Sequence, residues 1–427
     1  MTFGSSAFLR EPPAGLIASI REDPDDHAAW SVFADWLTEQ GDARGELVLL
    51  QHRLDEAEDA ARRPLQRAVR ELEQAHQEAW FAGLEPPPQT RLKRCHGFVV
   101  GVRLRPWDEL RRAFLVRLLE HPTGRLLRSL EVGDANLSDE GVIALARESR
   151  LSRLKELHLR GGRLTRQAVG ALAASPHLAG LTFLDLAHNA LGAEAARSIA
   201  MAKNGWVLHQ LGLDGCRIGD DGVAALTQAS FASQLQSLDL SRNAIGPHGI
   251  ANMAVRGFAS LTALHLSDND VRDEGMEAFA SGGEGAGLVD LRVARNGLSE
   301  RAATALAESP TLTHLETLHL SFNGLGPAGV QALVHSANAA GLKSIDLNRN
   351  EVACDGAEAL ADSRQLSRLR ALYLDENDIR QRGARALAQA KSLQGLGYLN
   401  LWGNPIGSVG AQALHHSSVL ADCKIFR

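Results

Sequence analysis

The amino-acid sequence predicts an α/β protein: a curved solenoid with a parallel sheet inside and helices outside, preceded by a small all-α domain. Three observations carry this. The first is one pattern repeated eleven times between Leu127 and Leu414, with Leu315-Glu316-Thr317-Leu318-His319-Leu320-Ser321-Phe322-Asn323-Gly324-Leu325 as a complete copy. The second is the slot held there by Asn323, which recurs at Ala135, Gly162, Asn189, Cys216, Asn243, Asn269, Asn296, Asn350, Asn377 and Asn404. Neighbouring slots lie 27 residues apart nine times and 26 once, between 243 and 269. A single-core domain needs no such regularity, whereas a stack of like units does. The third is a change of character before residue 90, where helical spacing stands in place of the leucine pattern.

Residues 1–90 hold 8 Lys and Arg against 17 Asp and Glu, an acidic helical domain of net charge −9. Asp23-Pro24 pairs a capping residue with a proline at a first helical position, so a helix is expected from there through Trp36-Leu37, ending at Gly41. A second helix is expected from about Gly45 to Asp59. A third runs from Pro64 to Phe81 on the spacing of Leu65, Ala68, Val69, Leu72, Ala75 and Ala79. Glu85-Pro86-Pro87-Pro88 is a stiff connector and the domain boundary.

Residues 91–128 reverse the charge, with 10 Lys and Arg against 3 acids. Phe98–Leu104 alternates as a strand does, about one period before the first repeat, and a basic helix follows from Arg111 to Leu119. This segment is read as an N-terminal cap, because a solenoid must cover its first exposed core layer. The eleven repeats occupy 129–415. Residues 416–427 form a C-terminal cap, with Cys423 and Phe426 on the first two leucine positions of a twelfth repeat.

Within each copy the second and third leucines point inward and the residues between them outward, since strand side chains alternate. The asparagine amide is suited to bond the backbone of adjacent turns, so Ala135 and Gly162 should leave the first two repeats looser. Six residues beyond the slot every copy has Gly or Ala (Gly222, Ala302 and Gly383 among them), which predicts a helix pressed against the sheet. Four residues further on, Leu145, Leu172, Ile199, Leu226, Met253, Phe279, Leu306, Leu333, Leu360, Leu387 and Leu414 fill the core.

The pattern L-x-x-L-x-L-x-x-N-x-L is the signature of leucine-rich repeats, and the long helix-bearing period resembles their ribonuclease-inhibitor-like class over 127–414. That resemblance implies protein recognition on the concave face. Asp23-Pro24-Asp25-Asp26-His27 and Ala34-Asp35-Trp36-Leu37-Thr38-Glu39-Gln40-Gly41-Asp42-Ala43-Arg44-Gly45-Glu46 resemble the repeat-companion domain found beside repeat arrays in bacteria. This second resemblance implies a bacterial repeat protein and brings no established chemistry.

The four cysteines, Cys95, Cys216, Cys354 and Cys423, form no C-x-x-C pair. Cys216 and Cys354 fall on structural repeat positions, which argues against a catalytic thiol. No signal-peptide pattern and no 18-residue apolar run is present, so a cytoplasmic protein without a membrane segment is expected. No nucleophile elbow, zinc-protease helix or Walker sequence occurs. Gly282-Gly283-Glu284-Gly285-Ala286-Gly287 lies between helix and strand, the reverse of a phosphate loop. Asp268-Asn269-Asp270 with Asp273 lacks the glycine and glutamate of a calcium loop. The chain is expected to be no enzyme, with no cofactor and no metal.

Two outward groups are candidate partner contacts. Tyr373, Asp375, Glu376, Tyr398 and Trp402 place exposed aromatics beside acids, the composition of binding hot spots. Asp239, His265, Arg292, His319 and Asp346 form a mixed-charge ribbon on adjacent strands. As a metal or acid–base site the ribbon is poor, since His265 and His319 stand about 10 Å apart with Arg292 between them. The alternative for the aromatics is packing against the C-terminal cap. The function expected is a non-enzymatic scaffold that binds a protein partner on the concave face. The alternatives are a regulator of a partner enzyme, such as a GTPase-activating-like protein, and nucleic-acid binding through the basic cap. The absence of an RNA-module motif from that cap, whose one tryptophan is Trp107, and the acidic domain beside it argue against nucleic acid.

Overall fold

The computed structural model describes residues 12–133, 137–255, 257–283 and 285–427. The chain divides into two compact units, Met1–Leu137 with Arg147–Leu159, and Ser138–Ala146 with Arg160–Arg427.

The first unit opens with four helices, α1 (Ala14–Glu22), α2 (His27–Glu39), α3 (Arg44–Asp55) and α4 (Asp59–Trp80). Asp26, not Asp23, caps α2, its carboxylate accepting from the Ala28 and Ala29 N–H groups at 3.0 Å. The Asp-Pro pair instead forms the turn before it, where the Pro24 carbonyl accepts from Trp30 Nε1 at 2.8 Å. Pro64 does not start α4 but lies inside its exposed first half, where water can satisfy the carbonyl that a proline leaves unbonded.

The charged run after α2 is architectural. Gly41 takes a φ of +73° to turn the chain. The Asp42 carboxylate holds Arg44 through Nη2 at 2.6 Å, with both side chains almost fully buried. The Arg44 guanidinium also lies over the Phe98 ring at 4.2 Å and donates to Thr123 Oγ1 at 3.3 Å. A Cβ on Gly45 would stand 2.3 Å from Thr38 Oγ1 and 2.5 Å from the Ala34 carbonyl, so only glycine lets α3 begin against α2. Trp30, Phe33, Ala34, Leu37 and Val48 then share one apolar core with Phe98 and Leu126.

Strands β1 (Arg91–Cys95) and β2 (Phe98–Leu104) pair antiparallel around the turn His96-Gly97, both residues having positive φ. Arg91, Lys93 and Arg94 stand exposed on β1, charges that suit an outermost strand. Helix α5 (Glu109–Glu120) follows, and then β3 (Ser129–Val132) and β4 (Glu156–His158) extend the sheet in parallel.

The second unit is a leucine-rich-repeat solenoid of three-residue strands, each in parallel register with the next from Phe183–Asp185 to Lys424–Phe426. Strands stack about 4.8 Å apart and helices need 8–10 Å, so the strand side is the concave one. The slot asparagines hold the turns together. Asn243 Oδ1 accepts from the Cys216 and Ile218 N–H groups at 3.1 and 3.2 Å. Its Nδ2 donates to the Leu213 and Ser241 carbonyls at 2.8 and 2.9 Å. Asn377 repeats this one for one with Asn350, Val352, Leu347 and Asp375. Cys216 serves in the slot because its thiol donates to the Leu186 carbonyl at 3.2 Å; burial pushes that thiol up to about 12. Ala135 lies outside the described residues.

Two expectations are corrected. The Gly/Ala position six residues past the slot faces the helix of the preceding repeat, not the sheet. A Cβ on Gly383 would stand 2.9 Å from Ala357 Cβ, and one on Gly410 would stand 3.0 Å from Ala384 Cβ. The helix layer is tight because these helices approach through their smallest residues. Phe426 is not a core leucine equivalent. The last strand pairs Leu399 with Ile425 and Asn400 with Phe426, so Ile425 takes the inward place and Phe426 points outward.

Asn243→Ala should cost about 3 kcal/mol, because it strands buried backbone groups of two turns, read as a fall in the urea midpoint. Gly45→Ala should cost about 2 kcal/mol or more in the same experiment, from overpacking alone. An unchanged midpoint would mean that α3 is free to move off α2.

Candidate protein-binding surface

In the second unit the central outward column runs Asp185, Gly212, Asp239, His265, Arg292, His319, Asp346, Tyr373, Asn400 and Phe426. The flanking column carries Asp290 beside Ala263 and Thr317, and ends in Ala371, Tyr398 and Lys424. The predicted ribbon and the predicted aromatics both lie on this face, the ribbon mid-array and the aromatics at its end.

A residue outside the central column joins the ribbon. His265 sits between two carboxylates, Nδ1 3.9 Å from Asp239 Oδ2 and Nε2 3.4 Å from Asp290 Oδ2. Asp290 also takes Arg292 Nη2 at 2.8 Å. His319 pairs with the next strand, Nδ1 standing 3.6 Å from Asp346 Oδ2. The Asp239 and Asp290 carboxylates on either side raise His265 to about 9, against its burial. Burial raises the Asp290 carboxyl, but the bonds from His265 and Arg292 outweigh it and hold the group well below the usual range. His265 is therefore an imidazolium at pH 7 and no base near neutrality. Among the described residues no group of three or more His, Cys, Asp or Glu is placed to hold a metal ion. Asp290 escaped the sequence reading because only strand register sets it diagonally beside His265.

From the second repeat to the eleventh, the residue before the slot takes a left-handed turn conformation. Gly161, Gly215 and Gly403 do so at no steric cost, but His188, Arg242, Asp268, Arg295, Phe322, Arg349 and Glu376 do so as well. They form a rim of polar and aromatic groups. Arg295 and Arg349 lie on the Phe322 ring at 3.5 and 4.8 Å. Asp214, almost fully buried, takes Arg242 Nε at 2.7 Å, Arg160 Nη2 at 3.4 Å and His188 Nε2 at 3.5 Å. The sequence signal for this row is the position itself, one residue before every slot.

At the C-terminal end three rings make a continuous row of tilted contacts. Tyr373 and Tyr398 have centroids 5.0 Å apart, and Tyr398 and Phe426 5.2 Å apart. Lys424 Nζ lies 4.8 Å from the Phe426 ring. Tyr398 thus packs on the last strand while staying half-exposed, and Trp402 is 59% exposed. Glu376 binds Arg349 Nη2 at 2.5 Å. Asp375 Oδ1 is shut from solvent without a hydrogen-bond partner. Burial, then Asp346 and Glu376, push its carboxyl up.

The other motifs are absorbed by structure. Asp273 accepts from Ser299 N–H and Oγ at 2.8 and 2.6 Å, and Asp270 holds Arg272 at 2.7 Å. In the first unit, Arg103 and Arg105 both bind Glu131, at 2.5 and 2.6 Å, which neutralises part of the basic segment. No described helix is long and apolar enough to cross a membrane.

The family described as Leucine Rich repeat matches residues 125–146, 180–200, 207–226, 233–254, 259–280 and 311–334. The strands at 290, 344, 371 and 398 continue the same geometry beyond the matched stretches. No curated protein sequence matches the chain. A chain from the Rad7 and Elc1 complex of yeast is similar in structure, with 16% identity and a TM-score of 0.50, over 70% of this chain and 74% of that one. An internalin of Listeria monocytogenes has 18% identity and a TM-score of 0.44, over 65% of this chain and 81% of that one. The chain carries leucine-rich repeats, and the likeness to the yeast structure concerns the fold.

The His265 clamp has a pH signature. A raised pKa stabilises the folded state fully below the ordinary value of 6.5, and that contribution is lost as pH rises through about 9. NMR titration should find His265 changing charge near the upper value, with Asp290→Asn bringing it back toward the lower. Titration of the wild-type residue at 6.5 would mean that the clamp is open in solution.

Proposed function

We propose that this chain is a non-enzymatic scaffold that holds a protein partner on the concave face of its repeats. The contact centre is the C-terminal end of that face: Tyr373, Tyr398, Trp402, Asp375 and Glu376, joined by Phe426. The ribbon of Asp239, His265, Arg292, His319 and Asp346 forms a second zone. The finer classification goes with this reading: repeats of the ribonuclease-inhibitor-like class, beside a repeat-companion-like N-terminal domain over residues 1–90.

The observation that carries the proposal is the row of half-exposed rings beside a carboxylate whose charge two neighbouring acids oppose. Half-exposed rings give large contact area at small entropic cost, because few torsions freeze on binding. Asp375 is half-buried, and its charge is opposed by Asp346 and Glu376. A partner that brings a lysine or arginine side chain here relieves that repulsion and meets the rings as a cation–π contact. The ribbon already balances its own charges, so it suits orientation of a partner more than affinity.

The test is capture from a lysate of the source organism with the full chain, beside Trp402→Ala and beside Met201→Ala, which is 77% exposed on another surface. Trp402→Ala should lose the partner at least tenfold at an unchanged unfolding midpoint, and Met201→Ala should keep it. Equal capture by both variants would move the site elsewhere, and recovery of nucleic acid in place of protein would transfer the function to the basic segment.

A further inference from the structure

A cavity of about 320 Å³ lies in the first unit, between α3, α4 and the turn joining β1 to β2. The volume falls within the range of small-ligand pockets. Helix α4 contributes Glu73, Gln77 and Trp80, spaced to share one helical face, and Phe81 follows at its end. The facing wall is Arg94 with the turn residues, and α3 adds Gln51.

Two charged side chains, Glu73 and Arg94, line this cavity. Arg94 packs its guanidinium over the Phe81 ring at 4.3 Å, at the C-terminal end of α4. Glu73 enters from two turns earlier, about 12 Å back along the helix axis at 1.5 Å per residue. Among the described residues neither forms an ion pair, although α4 makes one nearby, Arg67 to Glu71 at 2.7 Å. Between them lie the Trp80 and Phe81 rings. Gln51 Oε1 is bonded to His96 Nδ1, which leaves the Gln51 amide nitrogen as a spare donor at the wall. Burial, then His52 and His27, lower His96 to about 4, so the imidazole is neutral at pH 7 and adds no positive charge beside Arg94.

A ligand that satisfies both ends carries a cation and an anion about 10 Å apart, joined by an apolar or planar body with amide groups. Three extended residues span about that distance. We propose that this cavity binds a short zwitterionic peptide of about three residues, its ammonium on Glu73, its carboxylate on Arg94 and its central side chain against Trp80 and Phe81. Free amino acids are too short to reach both charges, and a chain interior lacks the two ends. The site therefore selects peptides by length and by free termini.

Calorimetric titration of the full chain with the tripeptide Gly-Phe-Gly tests this, beside its N-acetylated and its C-amidated forms. One-site binding in the millimolar range or tighter is expected, weakened roughly tenfold by blocking either end. Glu73→Gln should make the free and acetylated peptides bind alike, and Arg94→Gln should do the same for the free and amidated peptides. Both variants should unfold at the wild-type denaturant midpoint. If Arg94→Gln destabilises the fold, Glu73→Gln with the acetylated peptide decides alone. No saturation up to about 10 mM, or binding indifferent to both blocked ends, overturns the proposal.

Discussion

The second unit depends on one hydrogen-bonding problem. Each strand is only three residues long, so the chain soon leaves it in a turn whose backbone groups face the interior with no ladder of their own. The asparagine of the next repeat meets that demand. One side chain binds two N–H groups of the turn behind it, that turn's carbonyl and one of its own. The arrangement works only if every turn arrives in the same place, and this fixes the period. Further side chains make the same kind of rung between neighbouring repeats. Asp273 accepts from Ser299 in the next repeat, and Ser309 Oγ bonds the Ala280 carbonyl at 2.6 Å. A repeat is thus not a unit that folds and then stacks, since its backbone is completed by its neighbour.

That dependence explains what could be read without coordinates. The slot, the inward leucines and the outward columns follow from the period, and the register of the strands confirms the columns residue by residue. Errors arose where the period stops being informative. Phe426 stands 27 residues after Leu399, but the last turn is one residue shorter, and one residue reverses the face of a strand. The Gly/Ala position calls for close packing without naming its neighbour, since alternation says nothing about what a helix meets on its far side. The importance of Asp290 is diagonal, across two strands, and no single column of the sequence shows diagonals. In the first unit the Asp42–Arg44 pair and Gly45 stood in a recognisable run, but their meaning, a buried clamp between α2, α3 and β2, is purely tertiary.

Charge on the concave face falls into two regimes. In the middle of the array, acids and bases alternate closely enough to satisfy one another: His265 with Asp239 and Asp290, Arg292 with Asp290, His319 with Asp346. Such a ribbon presents pattern without strong net field, and pairs of this exposure add little stability. At the C-terminal end the alternation fails, because Tyr373 and Asn400 follow Asp346 in the column and Asp375 finds no donor for one oxygen. Aromatic area and unsatisfied charge therefore coincide at one end of the face. A partner gains most where the protein has not already satisfied itself.

The rim carries this logic one step further. A left-handed conformation costs a non-glycine residue roughly 1 kcal/mol, and seven repeats accept it just before the slot. Gly161, Gly215 and Gly403 show that glycine fits the same position. The conformation is imposed by the asparagine ladder, since the turn must present its N–H groups to the next side chain whatever residue stands there. Given that constraint, an arginine, phenylalanine or glutamate at the rim is strained without gaining any backbone bond that glycine lacks. Arg295, Phe322 and Arg349 recover part of the cost by stacking on one another, as Arg242 does on the buried Asp214. What remains is spent on presenting rigid side chains, each with its backbone locked from both sides, along the edge of the concave face. Rigidity of that kind lowers the ordering cost of association, so the strain in the turns and the capacity to hold a partner have a single origin.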